Sequence, residues 1–244
     1  MRAVEPGECL AGGAAGSAGQ GPWLLALHSS GDSLGVALQQ LGGSQPPRLA
    51  AFPLGRALAN ELLACVEAVL PASDWRQLGR LAVAIGPGGF TGTRLTVTLA
   101  RTLAQQLGLP LDGIGSFLLI ARRLQRLGAL PAAGALWLVQ ELPRRGLVAG
   151  LYAAPGKPGQ PIRELLAPRL YPDGAALVAA EATLASPDFC PSAASLPRCP
   201  ALVHQPEDVA ELLRFSQEAA AAGRPAPWPS VVPLYPTSPV ELRL

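Results

Sequence analysis

Charge is scarce in this chain. Asp, Glu, Lys and Arg together make up 15% of its 244 residues, and Lys157 is the only lysine. The net charge of +2 is too small to mark a nucleic-acid binder on its own. So thin a charged surface fits a protein partly covered by a partner. The four cysteines (Cys9, Cys65, Cys190, Cys199) show no C-x-x-C spacing. A chain with a large core needs no disulfide staples, so they read as reduced thiols in a cytosolic protein. Histidine occurs only at His28 and His204. These lie far apart on dissimilar segments, so no H-x-x-x-H pair can hold a metal between two imidazoles one helical turn apart. Neither a Ser-His-Asp nor a Cys-His order is apparent. No Gly-Lys-Ser/Thr run is present, which excludes a P-loop, and no G-x-G-x-x-G matches. No stretch of about twenty apolar residues is free of Gly, Pro and charge, so nothing is expected to span a membrane. Residues 1–21 have no leucine-rich segment and make a poor signal peptide; a disordered leader is the expectation.

What is present is apolar: 49% of the residues, enough for a sizeable core in one large domain or two modest ones. The runs WLLALHSS, SLGVALQQ and RLAAFPL read as three adjacent strands, the first two a hairpin across Gly31-Asp32. A helix then follows, as at the start of an actin-like or hexokinase-like domain. It covers GRALANELLACVEAVL and carries two apolar stripes, Leu58/Leu62/Cys65/Val69 and Leu63/Val66/Leu70. One stripe suffices for a surface helix. Two stripes leave two readings open: deeper burial in one domain, or packing on both the sheet and a second subunit.

LAVAIG reads as a buried strand, GPGGFTG as a turn, and Thr91 to Leu107 as a helix. Thr91 is the expected N-cap, Gly108 the expected C′ residue, and Leu95, Leu99, Leu103 and Leu107 the expected core stripe. Further on come a helix (GSFLLIARRLQRLG), two strands (ALWLVQEL, LVAGLYAA), a third (RELLAPRLY), a short helix (AALVAAEA) and a long one (EDVAELLRFSQEAAAAG). Strands then helices, twice over, predict two α/β lobes. Their bounds are placed at 22–112 for the first and 113–223 for the second, smaller one, with a Pro-rich tail at 224–244. Two basic clusters, Arg122/Arg123/Arg126 and Arg144/Arg145, read either as solvated surface or as contacts to a nucleic acid or a partner.

A glycine-rich turn between a strand and a helix serves either close packing or an anion at the helix N-terminus. The segment IGPGGFTGTRLTVTLARTLAQQLGLPL closely resembles the signature of the TsaB (YeaZ) family, written GPGSFTGLRIGLATAKGLA. Gly86, Pro87, Gly88, Phe90, Thr91, Gly92 and Arg94 match in order, and Gly89 stands where the family has serine. LLALHSSGDSLGVAL resembles the family's opening hairpin, LAIDTSTEALSVAL, and GRALANELLACVEAVL its following helix. RRGLVAG and VVPLYPTSPV echo a later arginine-bearing turn and a P-x-Y ending. The resemblance is strong over about residues 24–120.

The resemblance implies an α/β fold of two actin-like (ASKHA, ribonuclease H-like) lobes, with mixed sheets flanked by helices and the second lobe degenerate. It implies a cytoplasmic, non-catalytic subunit of the machinery that makes N6-threonylcarbamoyl-adenosine (t6A) in tRNA. The partners implied are a TsaD-type transferase, a TsaE-type ATPase in the larger complex, a second copy when alone, and tRNA indirectly. The partner contact is expected at Leu58, Leu62, Val66, Val69, Phe90, Thr91 and Arg94. An interfacial ATP or ADP would touch Gly86, Gly88, Gly89 and Gly92; no cofactor is expected to bind the chain independently, and no metal. His28 stands where actin-like ATPases carry an Asp, and an imidazole does not replace a hard oxygen ligand near Mg²⁺; the plain alternative is a polar turn residue. Two other readings stay open: a diverged pseudo-subunit with another partner, and an independent actin-fold ATPase or kinase.

Overall fold

The computed structural model describes residues 22–130, 134–154, 160–183 and 196–236. The leader expected at 1–21 and the end of the tail lie outside them. In chain order the elements are β1 (Trp23–His28), β2 (Leu34–Gln40), β3 (Arg48–Phe52), α1 (Leu58–Val69), β4 (Leu78–Ala84), α2 (Phe90–Leu107) and β5 (Leu111–Ile114). Then come α3 (Ser116–Arg126), β6 (Gly134–Leu142), β7 (Gly146–Ala154), β8 (Arg163–Tyr171), α4 (Gly174–Ala182), β9 (Arg198–Pro200) and α5 (Glu207–Ala221). The described residues form two units: 22–114 with 204–233, and those within 115–203 with 234–236.

The first unit holds a sheet in the order β3-β2-β1-β4-β5. β1, β2 and β3 pair antiparallel, while β4 and β5 run parallel to β1. Strand side chains alternate between faces, and here the two faces differ in size. Leu25, Leu27, Leu34, Val36, Leu38, Leu81 and Val83 pack with α1 and α2 in one apolar cluster. The alternate positions Ala26, Gly35, Ala37, Ala82 and Ala84 are small and buried. α5 lies against β1, β2 and β4, and a Cβ on Gly35 would come within 3.0 Å of Val209 and closer still to the Gln205 side chain. Small residues on that face let the helix backbone come close.

This corrects two boundaries read from the sequence. The helix placed in the second lobe, α5, belongs to the first, because it covers that lobe's small-residue face. Residues 224–233 of the segment placed in a tail also return there. Val231 is buried in the first unit's core, Leu111 N donates to Ala226 O at 2.9 Å, and Arg101 Nη1 donates to Val231 O at 2.8 Å. A buried Arg80–Asp112 ion pair, bidentate at 2.7 and 2.9 Å, ties β4 to β5. Ser216 of α5 donates to the same carboxylate.

α2 also differs from its predicted limits. Gly89, not Thr91, is its N-cap, and Gly108 closes it at φ 67°. Its buried stripe is Thr93, Thr96, Val97, Ala100, Leu103 and Ala104. Leu95, Leu99 and Leu107 flank that stripe half-buried, because the small residues allow the helix to sit tight on the sheet.

The second unit repeats the strand order in shortened form, β8-β7-β6-β9, with β9 parallel to β6. Its faces separate cleanly. Leu136, Leu138, Val148 and Tyr152 pack with Phe117 and Ile120 of α3. Trp137, Ala149, Leu151 and Tyr171 pack with Leu177 and Ala180 of α4. Tyr152 is fully buried and donates to Glu164 Oε2 at 3.2 Å. Burial first, then the Glu164 carboxylate, pushes its phenol above the usual tyrosine range. Within the first basic cluster Arg123 is buried and donates to Leu202 O at 2.6 Å, so it is a packing residue.

Candidate functional site: the glycine-rich turn and the faces of the first two helices

β4 delivers the chain to the turn Gly86–Gly89, and α2 carries it away. The turn is seated on Ser29 and Ser30, which follow β1. Gly89 N donates to Ser30 O at 3.0 Å. A Cβ on Gly88 would lie 2.4 Å from Ser30 O, and one on Gly92 would lie 2.9 Å from Ser29 O and 3.1 Å from Leu58 Cδ2. Ser29 Oγ and Thr96 Oγ1 share a buried hydrogen bond of 2.6 Å. Gly88 and Gly92 are thus required for packing, whatever else they touch. Gly89 meets nothing within 4 Å of a built Cβ, which leaves room for the serine that the resembled family pattern has there. Gly86 takes φ 98°, a conformation that favours glycine.

The expected contact residues fall into two groups. Phe90, Thr91 and Arg94 are exposed on α2. Leu58, Leu62 and Val66, however, are only 7%, 8% and 0% exposed and belong to the core cluster, with Val69 half-buried beside them. They lie beneath the outer surface of α1. That outer surface is Ala59, Asn60, Glu61, Leu63, Ala64, Glu67 and Ala68. Leu63 is 49% exposed and the one large apolar group among them. α1 and α2 touch each other, so their outer faces adjoin. Of the two stripes read from the sequence, every member but Leu63 lies in or against the core cluster, so the second stripe reflects deeper burial in this unit and leaves Leu63 alone facing outward.

His28 is not a turn residue. It ends β1, pairs with Gly35 and is fully buried. Gln205 sets its amide Nε2 against His28 Nδ1 and within 3.3 Å of His28 O. The end of β1 therefore presents an imidazole held by an amide, a donor set that does not fit the oxygen-loving Mg²⁺ of a nucleotide. Sequence reading missed Gln205 because it lies 177 residues away; Gly35, which makes room for it, was the available signal.

A cleft of about 300 Å³ lies elsewhere in the first unit, along β5, lined by Leu111, Asp112, Gly113, Phe215, Arg224 and Val231 among others. Both Asp112 oxygens are engaged, by Arg80 and by Ser216, so this carboxylate holds the fold together.

Among the described residues, no helix is long and apolar enough to cross a membrane. The profile of the family "TsaD: tRNA N6-adenosine threonylcarbamoyltransferase" matches residues 38–135. The chain is similar to the tRNA threonylcarbamoyladenosine biosynthesis protein TsaB of Bacillus subtilis (strain 168), at 32% identity over 97 residues. That match spans 38% of this chain and 41% of the relative, so well under two thirds of the relative's length is covered. Among solved structures, YeaZ from Pseudomonas aeruginosa superposes with TM-score 0.62 at 20% identity, over 88% of this chain and 99% of that one. A protein with similarity to peptidase YeaZ, from Pseudomonas aeruginosa, superposes with TM-score 0.64 at 21% identity, over 88% and 100%. At these identities the two structures establish the shared actin-like fold.

Proposed function

We propose that this chain is a TsaB (YeaZ)-type partner subunit in t6A synthesis that binds and activates a TsaD-type transferase, a reading supported by its 97-residue similarity to TsaB and its fold shared with YeaZ. The observation that carries this reading is the surface built around the glycine-rich turn. The turn is locked onto Ser29 and Ser30, and beside it α1 exposes Ala59, Ala64 and Ala68 around Leu63, flanked by Glu61 and Glu67, while α2 exposes Phe90, Thr91 and Arg94. An alanine-rich helix face lets another helix approach closely, and Leu63 and Phe90 supply apolar area to bury. The contact is therefore assigned to Leu63, Phe90, Thr91 and Arg94, with Leu58, Leu62 and Val66 supporting it from below. The same face would serve a homodimer when the chain is alone.

In this reading the subunit contributes surface and no catalytic group. Two distant histidines offer no metal-binding pair, and His28 with Gln205 offers Mg²⁺ no carboxylate. ATP or ADP would sit at the interface with the partner, against the turn at Gly86, Gly88, Gly89 and Gly92, with a TsaE-type ATPase joining the larger assembly in the cytoplasm. The test is size-exclusion chromatography with light scattering of this chain mixed with the TsaD-type protein of its own genome, followed by assay of tRNA modification. A heterodimer that restores modification is the expected result. Two separate peaks at tens of micromolar would overturn the reading in favour of a diverged subunit with another partner.

A further inference from the structure

The hairpin between β6 and β7 turns through Leu142, Pro143, Arg144, Arg145 and Gly146. Arg145 N donates to Leu142 O at 3.0 Å, which closes a four-residue turn with proline in its second place and Arg144 in its third. Arg144 has φ 63°, the only positive value at a non-glycine among the described residues. A turn of this shape calls for glycine or asparagine at that position. A bulky side chain there is strained, and strained residues concentrate where their side chain is used. Arg144 and Arg145 are both exposed at the tip.

A third arginine stands behind them on β8. Tyr171 pairs with Leu147, and Arg169 with Ala149, so Arg169 belongs to the same end of the sheet. Its guanidinium lies 4.9 Å from the Tyr171 ring centroid and donates through Nε to Tyr171 Oη at 2.8 Å. Stacking fixes the plane of the fork, and the Tyr171 hydroxyl takes one of its five donors. The charge of the whole chain is also unevenly divided. Among the described residues the second unit carries eight basic and four acidic residues, the first eight basic and nine acidic. The small overall charge hides a basic second unit.

We propose that this hairpin tip, Arg144 and Arg145 with Arg169 behind them, contacts the phosphate backbone of RNA. Arginine forks match phosphate oxygens bidentately. A backbone contact orients a nucleic acid without reading its sequence. That the RNA is the tRNA substrate rests on the function proposed above; the phosphate chemistry of the tip does not.

The test is fluorescence anisotropy of a labelled, unmodified tRNA titrated with the full chain over a series of salt concentrations. The variants are the double substitution Arg144→Gly/Arg145→Ser and, as a control of equal sign on the first unit, Arg76→Ser. The double variant should bind roughly tenfold more weakly, with a salt slope reduced by roughly 1 for each lost contact. Its unfolding midpoint should not fall, since glycine takes φ 63° without strain. Arg76→Ser should bind nearly as wild type. Unchanged affinity and slope in the double variant, or an equal loss in Arg76→Ser, would overturn the proposal. So would loss of heterodimer formation with RNA binding intact, which would make the tip a protein contact. Failure of the wild-type chain to form the heterodimer, with the RNA effect present, would sink the proposed function and leave this inference standing.

Discussion

Substituting Leu62 and Leu63 separately tests which side of α1 carries the contact. Leu62 is 8% exposed and packed among Leu58, Cys65 and Val66. Truncating it removes three buried carbons and leaves a cavity under α1, so Leu62→Ala should cost about 2–3 kcal/mol, the lower part of the usual range for leucine, because the site borders solvent. With a urea slope of about 2–3 kcal/mol/M, the unfolding midpoint falls by roughly 1 M. Leu63, next along the helix, is 49% exposed. Leu63→Arg should change the stability by less than about 0.5 kcal/mol and abolish the heterodimer, because it forces a charge into the apolar centre of the contact. Urea unfolding followed by circular dichroism reads the first effect, and light scattering of the mixture the second. The reasoning fails if Leu62→Ala is stable but does not bind, or if Leu63→Arg unfolds. Either result would mean that α1 is rotated from the orientation described.

Three further outcomes are expected. Asp112→Ala leaves Arg80 buried opposite no carboxylate and should cost about 3–5 kcal/mol in urea unfolding; a loss under about 1 kcal/mol would show that water reaches Arg80. Gly88→Ala should destabilise strongly, because its Cβ would meet Ser30 O at 2.4 Å, while Gly89→Ser should be nearly neutral, with nothing within 4 Å; equal melting temperatures for the two would refute the close approach. Because the Tyr152 phenol is raised above its unfolded value, the stability it lends is complete below pH about 10 and is lost as pH rises beyond that. Tyr152→Phe should show a shallower loss of stability above pH about 10, and identical slopes would count against burial of the phenol.

Long periodic elements were legible in the sequence because each carries its own pattern: the first three strands, α1, α3 and α5 stand where alternation or helical spacing put them. β5 and β9 were not, since four and three residues hold no periodicity. The destination of α5 was invisible for another reason. Its apolar stripe shows that it packs on something, but the surface it covers is built from Ala26, Gly35, Ala37 and Ala82, whose smallness reads as composition until the strands are side by side. At the site, the glycine-rich turn was recognised and its seat on Ser29 and Ser30 was not, because that contact joins segments about sixty residues apart. The same limit hid that Leu58, Leu62 and Val66 lie beneath the surface of α1 and not on it: an apolar residue announces burial without naming what buries it.

The return of α5 to the first unit has a consequence for how the protein is made. A ribosome delivers β1 through β5 by residue 114, yet the helix that covers their second face ends at residue 221. At ordinary rates of translation the intervening hundred or so residues take on the order of ten seconds to emerge. During that interval the nascent sheet has one face closed by α1 and α2 and the other bare, a surface that chaperones would occupy. Folding of the amino-terminal unit therefore waits on the carboxy-terminal part of the chain. A truncated message ending near residue 200 would yield a chain with a complete interior strand set and an unclosed sheet, suited to degradation rather than to partial function.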